Sequence, residues 1–145
     1  KGGKPRPIIH VTGDGAFGFY PSEYNGAVLA GLKINTFISN DGAWGTELHG
    51  QRKAIGRTVN TGLGQLPYEH LGPAFGGRGF RVERPGELGP ALDAAFAATV
   101  PSVVNVLVDR EAGAALKSDP RAALIMFDDL ATGLKTQHAF DSGGP

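Results

Sequence analysis

VTGDGAFGFYPSEYNGAVLAGLKINTFISNDGAWGTELHGQ, residues Val11 to Gln51, decides the fold. Upstream of it the β-branched run Pro7 to Thr12 closes on Gly13-Asp14-Gly15. A short apolar run bounded by glycine predicts a buried strand, and Gly13 to Phe19 reads as the turn after it. Pro21-Ser22-Glu23 then predicts a helix start, with Ser22 as cap and Tyr24, Val28, Leu29 and Leu32 as the apolar face. Gly31 lies near its end, and Ile34 to Ser39 reads as a second strand that runs directly into Asn40-Asp41. Strand, helix and strand within about 30 residues predict a right-handed βαβ unit with parallel strands.

Outward from that unit the alternation continues. Asp41 to Gly64 is polar and glycine-rich, which predicts a functional loop with a short helix near Thr46–Arg52. Pro67 to Phe75 reads as a helix stopped by Gly76-Gly77, and Gly79 to Val82 as a short strand. Arg84-Pro85-Gly86-Glu87 introduces a helix from Leu88 to Ala98, with Leu88, Leu92, Ala95 and Phe96 on one side. Val103 to Val108 is another buried strand, ending at Asp109. The pattern predicts an α/β domain over residues 1–110, a mostly parallel sheet with helices on both faces. Residues 111–145 break the alternation. They hold one helix, Asp119/Pro120 to about Leu134, whose apolar residues Met126, Phe127, Leu130 and Leu134 suit either a surface helix or a lid over a site.

Composition narrows the function classes. The chain has 145 residues, with 14 basic and 14 acidic side chains, so no charge excess argues for nucleic acid or an anionic membrane. There is no cysteine, which excludes disulfides, thiolate metal sites and cysteine nucleophiles. No run approaches the ~20 apolar residues of a membrane span. Lys1 to Arg6 lacks a signal-peptide core and an initiating Met, and reads as the middle of a longer polypeptide or a trimmed one, with a cytoplasmic setting expected. The 23 glycines are roughly twice the usual share and imply many tight turns and close backbone approaches.

Gly13-x-Gly15-x-x-Gly18 after a strand matches the dinucleotide fingerprint, which makes a non-catalytic Rossmann nucleotide-binding module one reading. Asp14 argues against it, because a bare carboxylate there repels phosphates at close range. The acid makes sense with a divalent cation between it and the phosphates, since Mg²⁺ takes one or two carboxylates plus phosphate oxygens and water. Ligands of parallel sheets bind outside the carboxyl ends of strands, so Asp14 and Asp41 should face one crevice. Backbone N–H groups of Gly15, Ala16 and Phe17 lie between them for phosphate oxygens. Asx-Gly pairs are also ordinary turn residues, and it is two such pairs at matching strand ends that favour the ligand reading.

Gly13-Asp14-Gly15, a spacer of 24 residues, and Asn40-Asp41 resemble the thiamin-diphosphate motif that begins GDG and ends in paired Asn. The resemblance extends through Phe17-Gly18-Phe19, Asn40-Asp41-Gly42-Ala43-Trp44-Gly45, Pro67 to Gly77, Arg84 to Leu88 and Val103 to Asp109. It covers roughly residues 7–110 and is to the C-terminal, diphosphate-binding domain of the decarboxylase, acetolactate synthase and 2-hydroxyacyl-CoA lyase group, among them actinobacterial lyases and oxalyl-CoA decarboxylase. It implies thiamin diphosphate and Mg²⁺ as cofactors. By position, Asp14, Asp41 and the backbone carbonyl of Ala43 would hold the metal, Asp41 standing where the usual residue is Asn. Gly13, Asp14, Gly15, Ala16, Phe17, Asn40, Ala43 and Trp44 would form the cofactor side, with Trp44 packing against the cofactor or a neighbouring chain.

The resemblance also makes Glu47 the catalytic carboxyl, moving protons at the substrate hydroxyl or the enamine carbon, with its pKa raised by an apolar wall and the nearby diphosphate. His49 would assist it or be polar surface, and Arg52, Lys53 and Arg57 would meet CoA phosphates or face water. The implied reaction is cleavage of a 2-hydroxyacyl-CoA to a carbonyl compound and formyl-CoA, with acetolactate-type carboligation or 2-oxoacid decarboxylation as alternatives. Enzymes of this group need a second domain whose Glu activates the aminopyrimidine ring. These 145 residues have no place for it, so the partners expected are the rest of the polypeptide or another chain, in a homo-oligomer (dimer or tetramer) acting on an acyl-CoA or 2-oxoacid.

Overall fold

The computed structural model of the chain describes residues 7–112 and 114. They fall into two compact units: residues 7–43 with Leu63–Asp109, and Trp44–Gly62 with residues 110–112 and 114. The helix expected from Asp119 and the lid reading of the 111–145 tail lie outside the described residues.

In the first unit, β1 (Ile8–Gly13) runs directly into a short helix, α1 (Asp14–Phe19), followed by α2 (Glu23–Leu29) and β2 (Ile34–Asn40). The second unit contributes α3 (Gly45–Ile55). Returning to the first, a 3-10 turn at Tyr68–His70 and α4 (Leu71–Ala74) lead to β3 (Arg78–Val82), α5 (Pro85–Ala97) and β4 (Ser102–Leu107). The sheet is four-stranded and wholly parallel, ordered β1-β2-β4-β3. Ile38 stands opposite Asn105, and Asn40 opposite Leu107, so the functional end of β2 is in register with β4.

Side-chain alternation along β2 and β4 builds two cores. Ile38 and Val103 turn to one face, where Phe17, Tyr24 and Tyr68 cover them with Val28, Leu71 and Phe75. Phe37 and Val104 turn to the other, against Val82, Ala91 and Ala95. Helices therefore cover both faces. Ile38, Val103 and Val104 are fully buried, each contributing about 1.5–3 kcal/mol by area removed from water.

Several local expectations shift. Of the turn read over Gly13–Phe19, Gly13 ends β1 and Asp14–Phe19 is helical, with the Asp14 carboxylate in the first turn, where the helix N-terminus favours an acid. Ser22 precedes α2 without a capping side-chain bond, and Leu29 and Leu32 are exposed. α5 begins three residues early because Pro85 suits the first helical position and the Glu87 carboxylate accepts from the N–H groups of Glu83 and Arg84. Its buried face is Ala91 and Ala95 rather than Leu88 and Phe96, since only small side chains fit this close to the sheet.

β1 departs furthest. Read as a buried strand, it is the exposed edge: Ile9 is 53% and Val11 73% accessible. The apolar run does form a strand, but β2 and β4 are the central pair; β1 pairs with β2 on one side, and among the described residues nothing pairs with its outer side. A cavity of about 430 Å³ opens beneath it, lined by Ile8, His10, Phe17, Tyr20, Tyr24 and Ile34.

Candidate functional site

Asp14 leaves the end of β1 and heads α1, where it is 2% exposed. Among the described residues its Oδ2 has no hydrogen-bond partner. Burial first, and then the charge of Asp41, hold its carboxyl above the ordinary carboxylate range, against the opposing pull of the backbone N–H groups of Asp14 and Gly15. The sheet thus brings together the two acids that stand 27 positions apart (41 minus 14). Tyr68 is the third member of this corner. Its ring meets Phe17 edge-on at 5.6 Å, and burial, then the Asp14 charge, push its hydroxyl up.

Asp41 opens a tight turn. Its Oδ1 accepts from the Ala43 N–H at 2.9 Å, and the Gly42 N–H donates to Asn40 Oδ1 at 3.1 Å. Gly42 has φ of 69°, a left-handed conformation in which a side chain would be strained. Its carbonyl accepts from the N–H groups of Leu63 and Gly64 at 2.8 and 2.9 Å, so the turn is held from both sides.

Behind the turn lies a polar network that the sequence reading missed. Asn40 Nδ2 donates to Asn105 Oδ1 and to the Leu66 carbonyl, both at 3.0 Å. Asn105 Nδ2 donates to the same carbonyl at 3.1 Å and to Glu69 Oε2 at 2.7 Å. Arg81 donates to Glu69 Oε1 at 3.3 Å. Burial raises the Glu69 carboxyl, but the bonds from Asn105, its own backbone and Arg81 outweigh it and leave it below the ordinary range. Close backbone contact seats Glu69 there: a Cβ on Gly79 would lie 1.8 Å from the Glu69 carbonyl oxygen. The one visible signal was an Asn inside the Val103–Val108 run.

The second unit holds the remaining candidates. Trp44 precedes α3, and its N–H donates to the Thr61 carbonyl at 2.8 Å. Glu47, in the first turn of α3, is exposed, so the described residues do not build the apolar wall expected around it. His49 is not the polar surface residue of the alternative reading: it is buried, with Nε2 at 3.0 Å from the Arg110 carbonyl. Arg52 is engaged with Glu111 at 2.7 Å, which ties it to an acid rather than leaving it open to a phosphate.

Among the described residues there is no group of three or more His, Cys, Asp or Glu that could hold a metal. Two adjacent carboxylates with one orphaned oxygen are nevertheless a donor set that suits Mg²⁺, which fills its octahedron with a carbonyl, waters and phosphate oxygens. No described helix is long and apolar enough to cross a membrane.

Comparison with known proteins gives this geometry its context. The family described as thiamine pyrophosphate enzyme, C-terminal TPP binding domain, matches residues 2–106. The acetolactate synthase large subunit IlvG of Mycobacterium tuberculosis is 40% identical over 105 residues, covering 72% of this chain and 19% of that protein. The 2-hydroxyacyl-CoA lyase of Arabidopsis thaliana is 36% identical over 115 residues, 75% of this chain and 20% of that one. Among solved structures, the thiamine diphosphate-dependent 4-hydroxybenzoylformate decarboxylase of Rhodococcus jostii RHA1 superposes with a TM-score of 0.66 at 25% identity, over 72% of this chain and 20% of that chain. The chain spans about a fifth of the length of the curated relatives it matches.

Proposed function

The chain belongs to the thiamine pyrophosphate enzyme family, within its C-terminal TPP binding domain, and from that premise we propose that it carries the Mg²⁺ and diphosphate half of a carbon–carbon lyase site. The substrate class is a 2-hydroxyacyl-CoA, cleaved to a carbonyl compound and formyl-CoA. The observation that carries the metal assignment is the buried Asp14 with its partnerless Oδ2 beside Asp41. Similarity to the plant 2-hydroxyacyl-CoA lyase supports the substrate class. The higher identity to an acetolactate synthase supports a second reading, carboligation of 2-oxoacids. Family membership leaves the dinucleotide reading of Gly13–Gly18 without support.

Thiamin diphosphate, when bound, supplies stabilisation of a carbanion next to a carbonyl carbon, the hard step in making or breaking such a bond. This chain's residues do the holding. Asp14, Asp41 and the Ala43 carbonyl would bind Mg²⁺, and the N–H groups of Gly15, Ala16 and Phe17 would meet diphosphate oxygens, with Gly13 and Asn40 on the same side of the first unit. Glu47 moves a proton at the substrate hydroxyl, a role that its exposure in this chain leaves open to an incoming substrate. The pyrimidine-binding domain comes from the rest of the polypeptide or a partner chain, in a homo-oligomer.

The test is a pair of assays on the complete polypeptide with thiamin diphosphate and Mg²⁺. Formyl-CoA release from a 2-hydroxyacyl-CoA supports the lyase; acetolactate formed from pyruvate, with no formyl-CoA, replaces it with the carboligase. In the active assay Glu47→Gln is expected to keep cofactor affinity and lower turnover about 100-fold. Full turnover in that variant removes Glu47 from the chemistry.

A further inference from the structure

The Asn40–Glu69 network has a direction. Ionised Glu69 is an acceptor only, so it requires the amide NH₂ of Asn105 to face it, and the observed bond of 2.7 Å does so. That choice turns Asn105 Oδ1 toward Asn40, which must answer with its own NH₂. Asn40 Oδ1 is then left facing the Gly42 N–H, the bond that closes the turn carrying Asp41 and Ala43. The Leu66 carbonyl, accepting from both amides, agrees with this direction at each step. Asn40, Asn105 and Glu69 are all buried, so water does not substitute for a mismatched donor or acceptor.

We propose that Glu69, acting through Asn105, is a positioning residue that sets the orientation of the Asn40 amide and with it the metal-binding shape of the Asp41–Ala43 turn. The proposal rests on the Mg²⁺ reading of Asp14 and Asp41. Glu69 touches neither acid; it acts across β4 and β2. Arg81 holds the other oxygen of Glu69 and gives the network a handle for testing direction separately from packing. In Glu69→Gln, Arg81 still demands an acceptor, so the new amide presents its NH₂ to Asn105 and opposes the whole sequence of bonds. In Glu69→Gln with Arg81→Met that demand is gone, the Gln carbonyl is free to face Asn105, and the original direction returns.

The experiment titrates Mg²⁺ calorimetrically into the complete polypeptide in a fixed excess of free thiamin diphosphate, corrected by the same titration without protein, with thermal unfolding of each cofactor-free variant alongside. Glu69→Gln is expected to weaken Mg²⁺ binding 10- to 100-fold, the scale of losing a residue that orients a metal ligand. The double variant is expected to recover to within about threefold of wild type although it is no more stable than the single one. Arg81→Met alone, which leaves Glu69 an acceptor, is expected to bind as wild type does. Wild-type affinity in Glu69→Gln, no recovery in the double variant, or an equal loss in Arg81→Met each overturns the proposal. So does a Glu69→Gln chain that does not fold while the double variant folds and binds weakly. Wild type that binds thiamin diphosphate without Mg²⁺ instead overturns the metal reading itself, an outcome visible before any variant is made.

Discussion

Two buried polar clusters share one sheet and are built in opposite ways. Around Asn40, Asn105 and Glu69, the amide and carboxylate groups meet complementary partners at 2.7 to 3.3 Å. At Asp14 an acid is buried beside another acid with one oxygen unmatched. Buried polar groups are almost always satisfied, so the incomplete cluster marks where something from outside is needed and the complete one marks scaffold. A protein stabilised everywhere would hold no cation at Asp14. The satisfied network makes that local imbalance tolerable and keeps it in place.

The sharpest way to break this contrast is Asp14→Ala in the complete polypeptide. Mg²⁺-dependent thiamin diphosphate binding should disappear, while the cofactor-free protein unfolds at the same temperature or higher because a costly buried charge has gone. Retained affinity, measured by fluorescence titration, would end the metal assignment. The opposite cluster is tested by Gly79→Ala, which drives a Cβ into the Glu69 carbonyl and should cost about 3 kcal/mol or more in chemical denaturation. A variant as stable as wild type would show that the close backbone contact is not what seats Glu69.

Acid provides a gentler probe of the complete cluster. The folded Glu69 carboxyl lies below its ordinary value of 4.5, so the unfolded chain binds the extra proton in that window. Its contribution is fully present above about pH 4.5 and is lost as pH falls through the lowered folded value. The stability difference between wild type and Glu69→Gln should therefore shrink on acidification below pH 4.5, and a constant difference would refute the linkage. The smallest effect is expected at Asn35, which is fully buried on β2 with both amide atoms unpartnered among the described residues. Asn35→Val should be neutral or stabilising by about 1 kcal/mol, since removing an unsatisfied group restores what its desolvation cost. A loss of cofactor binding in that variant would blur the distinction drawn from Asp14.

The strands, their parallel sense and the Gly13-Asp14-Gly15 to Asp41 pairing were legible in the sequence because each depends on local pattern and spacing. Strand order was not. Pro7 to Thr12 is as β-branched as a central strand, and it is an edge because β4 adds to the far side of β2 rather than to the outer side of β1. Glu69 and Asn105 were equally hidden, since residues 36 positions apart meet only after β3 and β4 have paired. Of the α5 face read as Leu88, Leu92, Ala95 and Phe96, Ala95 is buried while Leu88 and Phe96 are exposed, and Ala91 joins Ala95 against the sheet. His49, inside the helix expected near Thr46–Arg52, reads as polar surface, but it is buried with its Nε2 at the Arg110 carbonyl, a partner 61 positions away that local pattern does not show.

The open edge of β1 has a practical meaning for anyone handling this protein. A parallel strand paired on one side only among the described residues, bearing Ile8, Ile9 and Val11 and without a lysine or proline inside it to discourage a neighbour, is a template for whatever strand arrives first. Inside a longer polypeptide that first arrival is intramolecular and fast. Expressed alone, the described residues would find the same edge on another copy, and self-association would grow with concentration. Trimming this chain to its most regular part is therefore a route to aggregates, and a lysine placed on the open side of β1 is the matching remedy.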